Sequence, residues 1–134
     1  MKRVVVTGMG CLTAFGDNWS SFRSRLESGK NAVVNMPEWE RFEGLNTRLA
    51  APIQPAFKKP SHYSRKAVRS MSGVSLMATR ATELALTDAG LLEHPCISDG
   101  SCGVAYGSST GDTEQMKIFG NMLENGDMTG LNAT

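Results

Sequence analysis

The chain has 134 residues, 40% of them hydrophobic and 20% charged, with fourteen glycines and a formal net charge of +1. That fits one globular domain or part of a larger one. It excludes a strongly basic nucleic-acid binder and an acidic disordered tail. No apolar run is long enough for a transmembrane helix, and Val4–Val6 is too short for a signal-peptide core. Cys11, Cys96 and Cys102 are sparse and odd in number, which argues against a disulfide framework and for a reducing, cytoplasmic compartment.

Lys2–Thr7 is predicted as a strand. Three consecutive valines favour the pleated conformation, and the lack of alternation implies burial on both faces, as in a parallel sheet. Gly8, Gly10 and Gly16 punctuate the loop that follows. Asp17 or Asn18 can cap a helix to about Ser28, stopped by Gly29, with Trp19, Phe22 and Leu26 on one face. Residues 30–63 have no sustained period and four prolines, and only Arg48–Ile53 suits a short strand. A helix is expected from about Ser64 to Ala89, capped by Ser61 or Ser64 and ended by Gly90. Its many serines and alanines make it thin-sided, able to approach neighbours closely. Cys102–Tyr106 is predicted as a second buried strand, and Gly107–Gly111 as a turn of small residues. Asp112 can cap a helix to about Glu124, with Met116, Phe119, Met122 and Leu123 inside. Asn125-Gly126 is a turn signal, and the tail Met128–Thr134 carries no terminal feature.

Charge is unevenly spread. Lys58, Lys59, Arg65, Lys66, Arg69 and Arg80 stand in a stretch without an acid, while residues 81–134 carry one lysine against eight acids. Such a block suits docking of an acidic partner, although a solvated helix face is the simpler account from composition alone.

Three chemical constellations can be weighed. Gly8-x-Gly10 after a predicted strand has the geometry of a dinucleotide site, but Thr13 replaces the third glycine and no acid-tipped second strand follows. A tight turn needing glycine freedom is the better reading. Gly107-Ser108-Ser109-Thr110-Gly111 matches the G-x-S-x-G of a nucleophile elbow, with Ser109 as nucleophile. The hydrolase order puts the histidine after the serine, whereas His62 and His94 precede it. A pocket-lining turn is therefore favoured over a serine hydrolase. Cys11, at a strand-to-helix turn, has no histidine near it in sequence. His94-Pro95-Cys96 offers two metal ligands, short of the four a structural site uses, so no metal is expected.

Four stretches together resemble one family. Val4–Gly10 with Gly16 is similar to the opening of the β-ketoacyl-acyl carrier protein synthases, condensing enzymes of the thiolase fold. Ser64–Met71 resembles the basic segment that opens their long helix, and Thr87–Leu91 resembles that helix's end. Gly103–Gly111 resembles their second core strand and pocket turn. The branch looks like synthase II rather than the branch that starts from acetyl-CoA. The resemblance implies an α/β chain, the first part of a layered αβαβα thiolase-like fold, with residues 1–134 forming the N-terminal portion of a β-ketoacyl synthase N-terminal domain.

The resemblance also implies a chemistry. A cysteine thiolate takes an acyl group from a carrier protein. Malonyl-carrier protein loses carbon dioxide, and its carbanion attacks the thioester. Two histidines and an oxyanion hole stabilise the developing charge, with no cofactor. In the family the nucleophilic cysteine and both histidines come later than residue 134. No catalytic residue is therefore expected within this chain, and inactivity of the chain alone is expected. Ser108, Ser109, Thr110 and Gly111 would line the substrate pocket, with Thr110 where relatives often carry a bulkier apolar gate. Lys66 and Arg69, three apart on a helix and so on one face, would dock the acidic acyl carrier protein. The implied assembly is a homodimer or a ketosynthase-like heterodimer. The alternative is a non-catalytic ketosynthase-like partner that sets chain length or scaffolds a dimer.

Overall fold

The computed structural model describes residues 3–129. The described chain is mainly helical: α1 is Trp19–Glu27, β1 Val34–Asn35, β2 Leu49–Ala50, α2 Arg65–Val68, α3 Gly73–Asp88 and α4 Thr113–Asn125. Short 3-10 turns cover Pro37–Arg41 and Pro95–Ile97. The chain divides into two compact units, Met1–Lys58 with Arg80–Glu93, and Lys59–Thr79 with His94–Thr134.

In the first unit, the Asn18 side chain accepts from the Ser21 N–H at 2.8 Å and starts α1. Gly29, at φ +66°, ends it in the left-handed conformation that glycine adopts without cost. Phe22 meets Trp19 at 6.0 Å and Phe15 at 6.4 Å between ring centroids, while Leu26, expected on the same face, is exposed. β1 and β2 pair antiparallel, Val34 opposite Ala50 and Asn35 opposite Leu49. The expected strand at 48–53 is therefore limited to two residues, with a partner that sequence periodicity does not reveal.

The segment carrying Gly8 and Gly10 lies directly on α3. A Cβ on Gly8 would stand 2.4 Å from the Ala85 carbonyl oxygen, and one on Gly10 2.2 Å from that of Ala81. Neither glycine has a positive φ. Their requirement is close approach to a helix, not the turn freedom expected from sequence. Ala81, Ala85 and Ala89 recur every fourth residue and supply the thin face. The Met9 N–H donates to Asp88 Oδ2 at 2.9 Å and fixes the crossing. Arg80 donates to Glu83 at 2.7 Å and to Asp17 at 3.4 Å, tying the approach to α1 onto α3. These carboxylates, Glu83 first, raise the Arg80 pKa further.

In the second unit, Ser64 caps α2, its hydroxyl accepting from the Ala67 N–H at 3.1 Å. The helix expected from 64 to 89 is broken at 69–72. The cause is Ser72, whose hydroxyl accepts from the Ser75 N–H at 3.3 Å and starts a new helix. Side-chain capping here displaces the continuing backbone ladder. The Tyr106 hydroxyl donates to the Ala78 carbonyl at 2.9 Å and holds the segment before the 107–111 turn on α3. Asp112 caps α4, and Gly126 ends it at φ +68°.

The two expected buried strands are not strands among the described residues. Residues 3–7 and 102–106 join no ladder, and Val4 is 94% and Val104 79% exposed. Lys2 lies outside the described residues, as do 130–134 of the expected tail. A strand is defined by its neighbours, and β1–β2 is the sole sheet among the described residues. Met116, Phe119 and Leu123, expected inside, are exposed along α4, and Met122 is half-buried. No described residue is fully buried.

Candidate functional site

The second unit contains both sets of residues singled out from sequence. Ser108, Ser109, Thr110 and Gly111 are exposed and form a turn before α4. The Ser108 hydroxyl accepts from the Gly111 N–H at 3.0 Å and closes it. Gly111 takes φ +67°, a conformation that glycine supplies at little steric cost. Asp112 follows, with Oδ1 accepting from the Glu114 N–H at 2.8 Å. The Ser72 hydroxyl above all, with the N–H groups of Glu114, Gln115 and Val74, holds the Asp112 carboxyl below its ordinary range. Asp112 thus caps the start of α4. Sequence pattern identifies this helix cap.

The turn lacks the context of a nucleophile elbow. The elbow needs a strand before the serine, and residues 101–108 belong to neither strand nor helix. His94 uses Nδ1 to accept from the Cys96 N–H at 3.2 Å, capping its own 3-10 turn. His62 stacks edge-on against Tyr63 at 4.8 Å.

Lys66 lies within α2 and Arg69 one residue past it. Arg69 keeps helical dihedrals, φ −60° and ψ −27°, so the two positions stay on one side of the turn. Both are exposed. Nearby, the Lys59 ammonium donates to the Tyr63 carbonyl.

In the first unit a cleft of about 480 Å³ lies beside Gly8–Cys11, walled by Trp19, Phe22 and Ala85, with Asp17 at its edge. The start of α1 is capped by the Asn18 side chain, so the dinucleotide reading gains nothing. Cys11 borders this cleft and is half-buried. Among the described residues no three His, Cys, Asp or Glu side chains gather as metal ligands. No described helix is long and apolar enough to cross a membrane.

The first unit lays a Gly-x-Gly segment on an alanine-faced helix, and the second holds an exposed small-residue turn and an exposed basic helical start. The chain belongs to the β-ketoacyl synthase family, whose N-terminal domain matches residues 1–132. A crystal structure of a β-ketoacyl synthase from Burkholderia phymatum STM815 superposes with a TM-score of 0.90 at 53% identity, over 99% of this chain and 32% of that one. The 3-oxoacyl-[acyl-carrier-protein] synthase 2 of Vibrio cholerae is 35% identical over 115 residues, 84% of this chain and 27% of the relative. The corresponding synthase 1 of Haemophilus influenzae is 27% identical over 118 residues, 88% of this chain and 28% of the relative. The chain thus spans little more than a quarter of the length of these two curated relatives.

Proposed function

We propose that the chain is the first portion of the N-terminal domain of a 3-oxoacyl-[acyl carrier protein] synthase of the synthase II branch. The observation that carries this reading is the superposition on a β-ketoacyl synthase over almost the whole chain at 53% identity. In this account the domain continues beyond residue 134 to a nucleophilic cysteine and two histidines. The layered αβαβα fold is completed by that continuation, which pairs and covers the segments at 3–7 and 102–106. The protein works in the cytoplasm as a dimer.

The reaction elongates an acyl chain in fatty acid or polyketide synthesis. The cysteine thiolate displaces the carrier thiol and holds the acyl group as a thioester. Malonyl-carrier protein loses carbon dioxide, and the electron pair of the broken C–C bond attacks the thioester carbonyl. A new C–C bond forms, the C–S bond breaks, and the thiolate is regenerated. Within the present chain, Ser108–Gly111 borders the acyl pocket, with Thr110 as its gate. Lys66 and Arg69 meet the acidic carrier protein at the pocket entrance.

The test is product formation. The complete polypeptide, given acyl- and malonyl-carrier proteins, releases carbon dioxide and yields the β-ketoacyl carrier protein. Residues 1–134 alone yield none. A complete polypeptide without product, or an isolated chain with it, contradicts the reading.

A further inference from the structure

The outward side of α4 carries apolar surface that its own unit does not use. Ile118 and Met122 are half-buried, and every other residue of the helix is exposed. At 3.6 residues per turn these two share the side that rests on the unit, and Gly120 falls opposite them. Met116, Phe119 and Leu123 lie along one flank of Gly120, and Lys117 and Glu124 along the other.

Gly120 bears on what this face meets. After proline, glycine is the poorest helix former. Gly120 has no positive φ, so no left-handed turn requires it. A Cβ built there would meet no atom within 4 Å, so no described residue of this chain requires it either. Glycine at such a place lets a second backbone come close, as Gly8 and Gly10 let their segment lie on α3.

The charges bear on which backbone that is. Lys117 and Glu124 are seven residues apart, about 10.5 Å along the axis and too far to pair within one helix. Against a second α4 they are self-complementary. A two-fold axis running across the helices sets each flank against the same flank of the other copy, in reversed direction. With the axis between Gly120 and Asn121, Lys117 stands opposite Glu124 of the partner subunit, and Glu124 opposite Lys117 of the partner subunit. The apolar flanks then meet each other on the opposite side of the glycine. A parallel pair would instead set each charged flank against an apolar one. We infer that the outward face of α4 is a self-association surface, on which a second copy of this chain lies antiparallel across Gly120. A standard interface buries about 800 Å² per partner, more than one helix face supplies, so α4 forms the centre of a larger contact. The inference rests on the proposed reading for the existence of the dimer, and gives that dimer its contact.

The experiment uses the complete polypeptide, made with Lys117→Glu under one tag and with Glu124→Lys under another. In either homodimer two like-charged pairs replace two opposite ones, and the dissociation constant rises about tenfold, the scale of a few exposed ion pairs. Co-expressed, the two variants restore both opposite pairs between unlike copies. The heterodimer should then make up about nine-tenths of the dimers, which is that tenfold weakening of each homodimer, instead of the statistical half. Gly120→Leu, a better helix former that fills the centre of the face, also weakens the dimer about tenfold or more. If chain of the same subunit covers α4, co-expression gives the statistical half, and the surface is overturned while the dimer stands. A Gly120→Leu dimer as tight as the parent overturns it as well. An unmodified polypeptide that stays monomeric at every concentration removes the dimer and the surface together. Synthase activity is read separately, from product formation by the unmodified polypeptide, and does not depend on either result.

Discussion

Gly10 and Ala81 meet backbone to backbone, and that contact decides what the first glycines are for. A methyl group on Gly10 would be 2.2 Å from a carbonyl oxygen and 2.6 Å from the Ala85 nitrogen. Neither is the movable end of a side chain, so the segment or the helix must shift. Gly10→Ala in the complete protein is expected to cost on the order of 3 kcal/mol through overpacking, read as a lower denaturation midpoint or as loss of soluble protein. A variant as stable as the parent would show that the segment does not press on α3. Thr110 poses the opposite question, of empty space. Threonine is smaller than isoleucine, so Thr110→Ile in the complete enzyme should favour shorter acyl chains through lost pocket volume, read from product lengths. An unchanged profile would remove Thr110 from the pocket wall. The residue scale is also where sequence is most legible. Asn18, Ser64 and Asp112 are caps, and Gly29, Gly90 and Gly126 take positive φ, because each depends on neighbours within a few positions. The bond from the Tyr106 hydroxyl to the Ala78 carbonyl is not legible, since nothing local in either segment points to the other.

At the scale of elements, the helices follow their sequence signals and the strands do not. α1 and α4 begin and end close to where caps and apolar spacing place them. α3 starts later than expected because a serine inside an otherwise helical stretch captured its own cap. Residues 3–7 and 102–106 have strand composition, but a ladder needs partners that periodicity cannot supply. The break at 69–72 leaves α2 a single short turn that exposes Lys66 and Arg69 together. The double reversal Lys66→Glu with Arg69→Glu in the complete enzyme should weaken carrier-protein binding by about 1 kcal/mol per charge, since exposed charges are partly screened. The loss should appear mainly in the association rate and shrink with added salt, because screening acts within about 10 Å at 0.1 M. Reaction of the active-site thiol with a small reagent should be unaffected. Binding and salt dependence that survive the double reversal would leave these residues as solvated charges.

At the scale of the whole molecule, exposed apolar surface is the dominant feature. The accessible surface is 11021 Å² for a 14.4 kDa chain. A folded monomer of that mass exposes about 6,800 Å². Val4, Val5, Val6 and Val104 lie open at one class of site, and Met116, Phe119 and Leu123 at another. Surfaces of this kind mark interfaces or association. A fold in which family relatives are more than three times as long accounts for them, if the remaining chain or a second subunit provides the cover. The valine runs read from sequence as buried strands, whereas Val4, Val5, Val6 and Val104 are exposed, because periodicity carries no information on which residues would cover them.

Sedimentation velocity on purified residues 1–134, with a thermal melt alongside, measures that claim most directly. The account predicts a concentration-dependent spread of associated species, dye binding to exposed apolar surface, and no sharp cooperative transition. A monodisperse monomer with a sharp two-state melt would show that these residues fold by themselves, and would contradict it.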